Sequence, residues 1–128
     1  MAVPIVALYG ALNVFLNIGL ALAVSRVRGT QRVSLGHGDS SVVLRAMRAH
    51  GNNAEFVPLA LVLLLIAELM GGSSLWLHVL GGSLTVARVA QAIGVYQQKA
   101  PNPARFGGTA ITWMMMIATG VYVLLLRR

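Results

Sequence analysis

Between Arg45 and Pro58 the chain reads Arg-Ala-Met-Arg-Ala-His-Gly-Asn-Asn-Ala-Glu-Phe-Val-Pro. At about 100° per residue, Arg45, Arg48, Asn52, Glu55 and Phe56 share an arc of about 100° on a helix. Two guanidinium groups, an amide and a carboxylate thus lie along one face, a set suited to holding an anion through charge-assisted hydrogen bonds. A second face follows at Arg88, Gln91, Val95 and Gln98, with Tyr96 roughly 80° from Arg88 at its edge. The next cation along the chain is Lys99, followed by Arg105.

Glu55 and Arg88 fall inside apolar runs, so their depth matters. Glu55 lies 15 residues before Met70, and Arg88 lies 13 residues after Leu75. At helical rise these are ~22 and ~20 Å from a shared turn, so the opposite charges are level. An unpaired charge near a bilayer centre costs about 2.5 to 3.5 kcal/mol. The spacing therefore predicts a Glu55 to Arg88 salt bridge facing the interior of a bundle. It serves equally as a bound anion's floor or as a purely structural clamp between helices.

Other polar residues read as packing. Asn13 and Asn17, one turn apart, are expected to hydrogen-bond to a neighbouring helix. Glu68 and His78 are expected at the outer interface, with Glu68 solvated. Met114, Met115 and Met116 read as core filler. Gly81-Gly82 reads as a close helix approach and Gly107-Gly108 as a helix start. Three scattered histidines without cysteine, and without His-x-x-His or Glu-x-x-His spacing, predict no metal site. The sequence shows no Ser-His-Asp grouping, P-loop or dinucleotide fingerprint. The ten basic residues form no stripe interleaved with aromatics, which argues against nucleic acid.

The elements that carry these residues follow from composition. The chain has 128 residues, 57% apolar and 10% charged, with a net charge of +7 and no cysteine. A soluble domain is about a quarter charged, so an all-α integral membrane bundle fits better than a soluble fold. Disorder and a disulfide framework are excluded by the same figures. Crossing ~30 Å of hydrocarbon takes roughly 20 helical residues. Four runs of that order stand at 3–25, 41–70, 75–98 and 107–126. Between them lie a basic stretch with three glycines, the turn Gly71-Gly72-Ser73-Ser74, and a segment with Pro101 and Pro103. Asp39 or Ser40 can cap the second helix. No basic residue precedes the first run, so it is expected to stay in the membrane as a helix rather than leave as a signal peptide. The basic loops 26–40 and 99–106 lie on one side, which the positive-inside rule makes cytoplasmic, with both termini outside.

The segment from Arg45 to Pro58 resembles the second-helix signature of the membrane-associated proteins in eicosanoid and glutathione metabolism (MAPEG). Its pattern Arg-x-x-x-Asn-x-x-Glu-x-x-Pro is matched at Arg48, Asn52, Glu55 and Pro58. The loop ending Val-Ser-Leu-Gly-His-Gly-Asp is similar to that of small bacterial inner-membrane members. The resemblance implies a homotrimer of twelve helices, with the second helix lining the threefold axis and glutathione, as cosubstrate, bound between subunits near the cytoplasmic side. It implies that Arg45, Arg48, Asn52, Glu55, Arg88, Gln91 and Tyr96 contribute to that site, and that Arg105 is the nearest candidate to activate the thiol. The chain departs from catalytic relatives at three positions. Phe56 stands where they carry tyrosine, Gln91 where they carry an aromatic residue or histidine, and Val95 where they carry a second tyrosine. Tyr96 is one residue out of that register.

Glutathione, with two carboxylates and one ammonium, complements four arginines around one glutamate. Lowering a thiol of pKa near 8.5 by about two units takes roughly 2.7 kcal/mol of anion stabilisation, within reach of one well-placed arginine. The implied function is a glutathione-dependent transferase or peroxidase for lipophilic electrophiles that arrive through lipid. The alternatives are a non-catalytic member of the same fold that binds lipid or scaffolds a partner, and a small multidrug transporter. The last fits less well, because arginines around Glu55 repel a cation.

Overall fold

The computed structural model describes residues 2–97 and 102–127. Four helices run in chain order: α1 (Pro4–Gln31), α2 (Ser41–Leu69), α3 (Ser74–Tyr96) and α4 (Pro103–Leu126). All four are long and apolar enough to cross a membrane. Large apolar side chains on their outer faces are exposed, as with Phe15 at 74% and Ile117 at 68%. Those faces have no protein neighbour within the chain, which fits acyl chains as their solvent.

Two helix boundaries differ from the sequence expectation. α1 continues six residues past 25, through Arg26 and Arg28, and ends where Arg32 adopts φ 54°, with the Arg32 and Val33 N–H groups closing the last turn. Charge alone does not stop a helix, and basic residues near its C-terminus oppose the dipole favourably. α4 begins at Pro103 rather than 107. Asn102 Oδ1 accepts from Arg105 N at 3.0 Å, and proline fills the first helical position, where no N–H is needed. Ser40 caps α2 as expected, accepting from Val43 N. The turn between α2 and α3 closes through Gly71, at φ 79°, and Tyr122 Oη accepts from Ser73 N at 2.7 Å.

α1 has no capping side chain of its own, since Val3 precedes Pro4. Its free N–H groups are met from another helix. Glu68 Oε1 accepts from Ile5 N at 3.0 Å and Oε2 from Val6 N at 2.7 Å. Glu68 is therefore half-buried and engaged, correcting the expectation that it is solvated.

The bundle has a diamond section. α2 and α3 each contact all three other helices, whereas α1 and α4 do not touch among the described residues. The largest contact is between α3 and α4. A Cβ on Gly108 would lie 2.6 Å from Ala87 O and Gln91 N, so this glycine marks a close approach of α4 to α3 rather than a helix start. Gly81 similarly admits the Tyr9 ring from α1. One apolar cluster, including Ile5, Leu64, Leu77, Leu84 and Met115, fills the half nearer the α2–α3 turn. A smaller one, of Leu20, Ala49, Ala92 and Val95, fills the other half. Of the three consecutive methionines, Met115 is core, Met116 packs against it and Met114 is exposed. Between the clusters lies a polar layer containing Asn13, Asn17, Asn52, Asn53, Arg88 and Gln91.

Candidate functional site

The polar layer is built from three helices. Asn13 and Asn17 bond to neighbouring helices as expected: Asn13 Nδ2 donates to Thr85 Oγ1 of α3 at 3.0 Å, and Asn17 Oδ1 accepts from Asn53 Nδ2 of α2 at 3.1 Å. Asn53 lies off the polar arc of α2, and only the packing shows that it turns toward α1. Its neighbour Asn52 turns toward α3.

Arg88 is 1% exposed and is the largest fully buried side chain. Its Nη2 donates to Asn52 Oδ1 at 3.0 Å and its Nη1 to the Asn52 carbonyl at 3.4 Å. The guanidinium carbon lies 5.9 Å from the centre of the Phe56 ring, a cation–π arrangement, and Phe56 leans on Trp113 of α4. Arg88 Nε and Gln91 Oε1 are buried without hydrogen-bond partners, so this layer keeps unspent polar capacity.

The expected Glu55 to Arg88 salt bridge does not form within the chain. Glu55 is exposed on the flank of α2, and the two Arg88 Nη groups bond instead to Asn52, one turn before Glu55. Depth along the helices brings Arg88 within a turn of its partner. Direction around α2 decides the rest, because Glu55 lies about 60° from Asn52, enough to carry it off the α3 interface.

Nearer the helix ends, Arg45, Arg48 and Arg105 converge on one hollow of about 590 Å³, together with Leu44, Val95 and Gln97. α2 supplies the first two arginines from its second and third turns, one turn apart on the same face. Arg105 comes from the first turn of α4. Its backbone is held by the Asn102 cap, and Asn102 Nδ2 in turn donates to Gly94 O at 2.7 Å, tying the start of α4 to α3. Gly94 is required here, since a Cβ would meet the Arg105 backbone. Along α3, Val95 lines the hollow, Gln91 is one turn deeper and Arg88 two. Tyr96 is 39% exposed and lies outside the lining. Gln98 and Lys99 fall outside the described residues.

The structure thus brings Arg45, Arg48 and Arg105 together, stacks Asn52, Arg88 and Gln91 beneath them, and leaves Glu55 and Tyr96 at the periphery of the single chain. No group of three or more potential metal ligands occurs among the described residues. Arg28 falls in the segment 26–40 expected to be a loop. It belongs to the last turns of α1, where its Nη2 reaches Met47 Sδ of α2 at 3.3 Å and its Nη1 is buried without a partner.

A family model, the MAPEG family, matches residues 6–125. The chain belongs to the MAPEG family. Its relatives include the inner membrane protein YecN of Escherichia coli strain K12, 32% identical over 111 residues, which covers 87% of this chain and 83% of that protein. The YecN protein of Escherichia coli O6:H1 strain CFT073 matches with the same identity and coverage. The MAPEG match spans all four helices, so the arginine hollow and the polar layer both lie inside the family region.

Proposed function

We propose that this MAPEG protein is a glutathione-dependent transferase or peroxidase of a bacterial inner membrane, acting on lipophilic electrophiles. The observation that carries this reading is the convergence of three arginines on one hollow whose lining, among the described residues, contains no carboxylate. Such a site favours a polyanionic ligand, and the two carboxylates of glutathione match two guanidinium forks. Arg105, exposed in the first turn of α4, is the residue that stabilises the thiolate in this reading. The helix N-terminus adds a favourable dipole. The thiolate then attacks an electrophilic carbon of the second substrate, whose leaving group departs with the bonding pair. That substrate reaches the site from the lipid along the apolar helix faces.

Glutathione also carries an ammonium, which needs an anionic partner. Glu55 supplies one if the α2 flank meets another copy of the chain. On a single chain Glu55 is exposed beside the exposed Leu59 and Val62, and a carboxylate facing acyl chains costs about 2.5 to 3.5 kcal/mol. Covering that flank with a second copy removes the cost, which supports a homotrimer with α2 at its axis and glutathione between subunits. By charge, the hollow and the basic segments 26–40 and 99–106 are cytoplasmic and the termini are outside.

A second reading, an anion-binding member without turnover, is favoured by Phe56. Its ring is committed to Arg88 and Trp113 and has no hydroxyl to offer a thiol. Calorimetric titration of the detergent-solubilised protein tests the shared part. Saturable binding at millimolar glutathione, weakened about tenfold or more in Arg48→Ala, is expected. Absence of heat, with Arg48→Ala matching wild type, refutes both glutathione readings. Turnover of an activated aryl chloride, releasing chloride as the thioether forms, separates the first reading from the second.

A further inference from the structure

On the opposite side of the polar layer from Arg88, a separate cavity of about 280 Å³ opens between α1 and α2, bounded by Asn13, Asn17, Asn53, Val14, Ala54 and Pro58 among others. Its walls are almost wholly apolar, yet two buried acceptors remain unsatisfied beside it. Asn13 and Asn53 are each 1% exposed, and the Oδ1 of each has no hydrogen-bond partner. The orientation of Asn13 is fixed by chemistry. Its Nδ2 donates to the Tyr9 carbonyl, which can only accept, and to Thr85 Oγ1, whose own proton goes to the Gly81 carbonyl. Pro58 adds a third acceptor, because its missing N–H leaves the Ala54 carbonyl without its helical donor. Buried acceptors without donors are costly, and most costly where no water is at hand.

Depth decides what can supply the donor. Asn13 is nine residues into α1, about 14 Å from its start and near the middle of a ~30 Å slab. No ionisable residue lines the cavity, so an ammonium would lack a counter-charge, and a phosphate would find no cation and two unsatisfied acceptors against it. A neutral hydroxyl on an apolar body meets every condition. It donates to Asn13 or Asn53, accepts from the Asn17 amide, and leaves its chain against Val14 and Pro58, both exposed to lipid. We propose that the α1–α2 cavity is a binding site for the hydroxyl of a neutral lipophilic alcohol, entered sideways from the membrane. The site is separate from the arginine hollow, being reached from the other face of α2, where Asn53 rather than Asn52 points.

The full chain in phosphatidylcholine nanodiscs, labelled with a dodecanol bearing a photoreactive diazirine on its chain, tests this. Crosslinks are expected on Val14, Pro58 and Leu61 and should be displaced by plain dodecanol about tenfold more effectively than by its methyl ether, which lacks the donor. Ala54→Phe, which fills the mouth from an exposed position, should abolish labelling, while Ala54→Ser retains it. Equal displacement by alcohol and ether overturns the proposal, as do crosslinks spread over all lipid-facing helices or unchanged labelling of Ala54→Phe. Unlabelled wild type, with an oligomer that dissociates in Ala54→Phe, identifies the cavity as a contact between copies and also overturns it.

Discussion

Removing the Glu68 carboxylate should loosen the start of α1, because that helix has no cap of its own. Two backbone N–H groups, of Ile5 and Val6, donate to its two oxygens at 3.0 and 2.7 Å. A hydrogen bond to a charged group contributes about 1.5 to 3 kcal/mol, and a carboxylate at a helix N-terminus about 0.3 to 1 kcal/mol more. Glu68 is only half-buried and water or headgroups replace part of this, so about 2 to 3 kcal/mol is expected for Glu68→Ala. Glu68→Gln keeps one acceptor but loses the charge and should cost about half as much. Reversible unfolding in mixed micelles, followed by circular dichroism, measures both. Amide exchange at Ile5 and Val6 should rise in Glu68→Ala while that at Leu64 stays low. A loss below about 0.5 kcal/mol, with exchange at Ile5 unchanged, would mean that solvent satisfies these donors equally well and would refute the capping argument.

Asn52→Leu removes the Oδ1 acceptor of Arg88 Nη2 and leaves the buried cation only the longer bond to the backbone carbonyl of residue 52, and should destabilise by about 1.5 to 3 kcal/mol in the same unfolding assay. Gly108→Ala places a methyl group 2.6 Å from Gln91 N, and should cost about 1 to 3 kcal/mol. Gly10→Ala, with open space at that position, should be neutral or slightly stabilising. Asn102→Ala should cost about 1 kcal/mol of cap and, by loosening Arg105, weaken anion binding in calorimetry. Arg45→Ala should weaken that binding about tenfold, and added salt should reduce the wild-type affinity.

The four spans were legible in composition and the depth of the polar residues in simple helical rise, because both depend on distance along one chain. What failed depends on direction around a helix or on another element. Glu55 shares an arc with Asn52, but only packing decides which of the two meets Arg88. Glu68 looked solvated because it stands near a helix end, yet Val3-Pro4 already signalled a helix whose first N–H groups must borrow an acceptor from elsewhere. Asn102-Pro103 is a cap followed by a first-turn proline. That signal was present but outweighed by reading Gly107-Gly108 as a start. Asn53 gave no sign of its role, since a lone amide beside a polar arc is compatible with either neighbour. In the hollow, Arg45 and Arg48 were legible from their spacing. Tyr96, expected at the site, lies outside the lining, because one residue's shift turns a side chain about 100°.

At 29 residues α2 is about 44 Å long, some 14 Å more than the oil layer is thick. Arg45 and Arg48, four and seven residues from its start, therefore stand in the wet zone of headgroups, while Arg88 remains two turns deeper. The overhang turns the bundle into a phase boundary. A water-soluble anion can rest on the arginines without shedding its hydration into hydrocarbon, and an oil-soluble molecule can approach from below without leaving it.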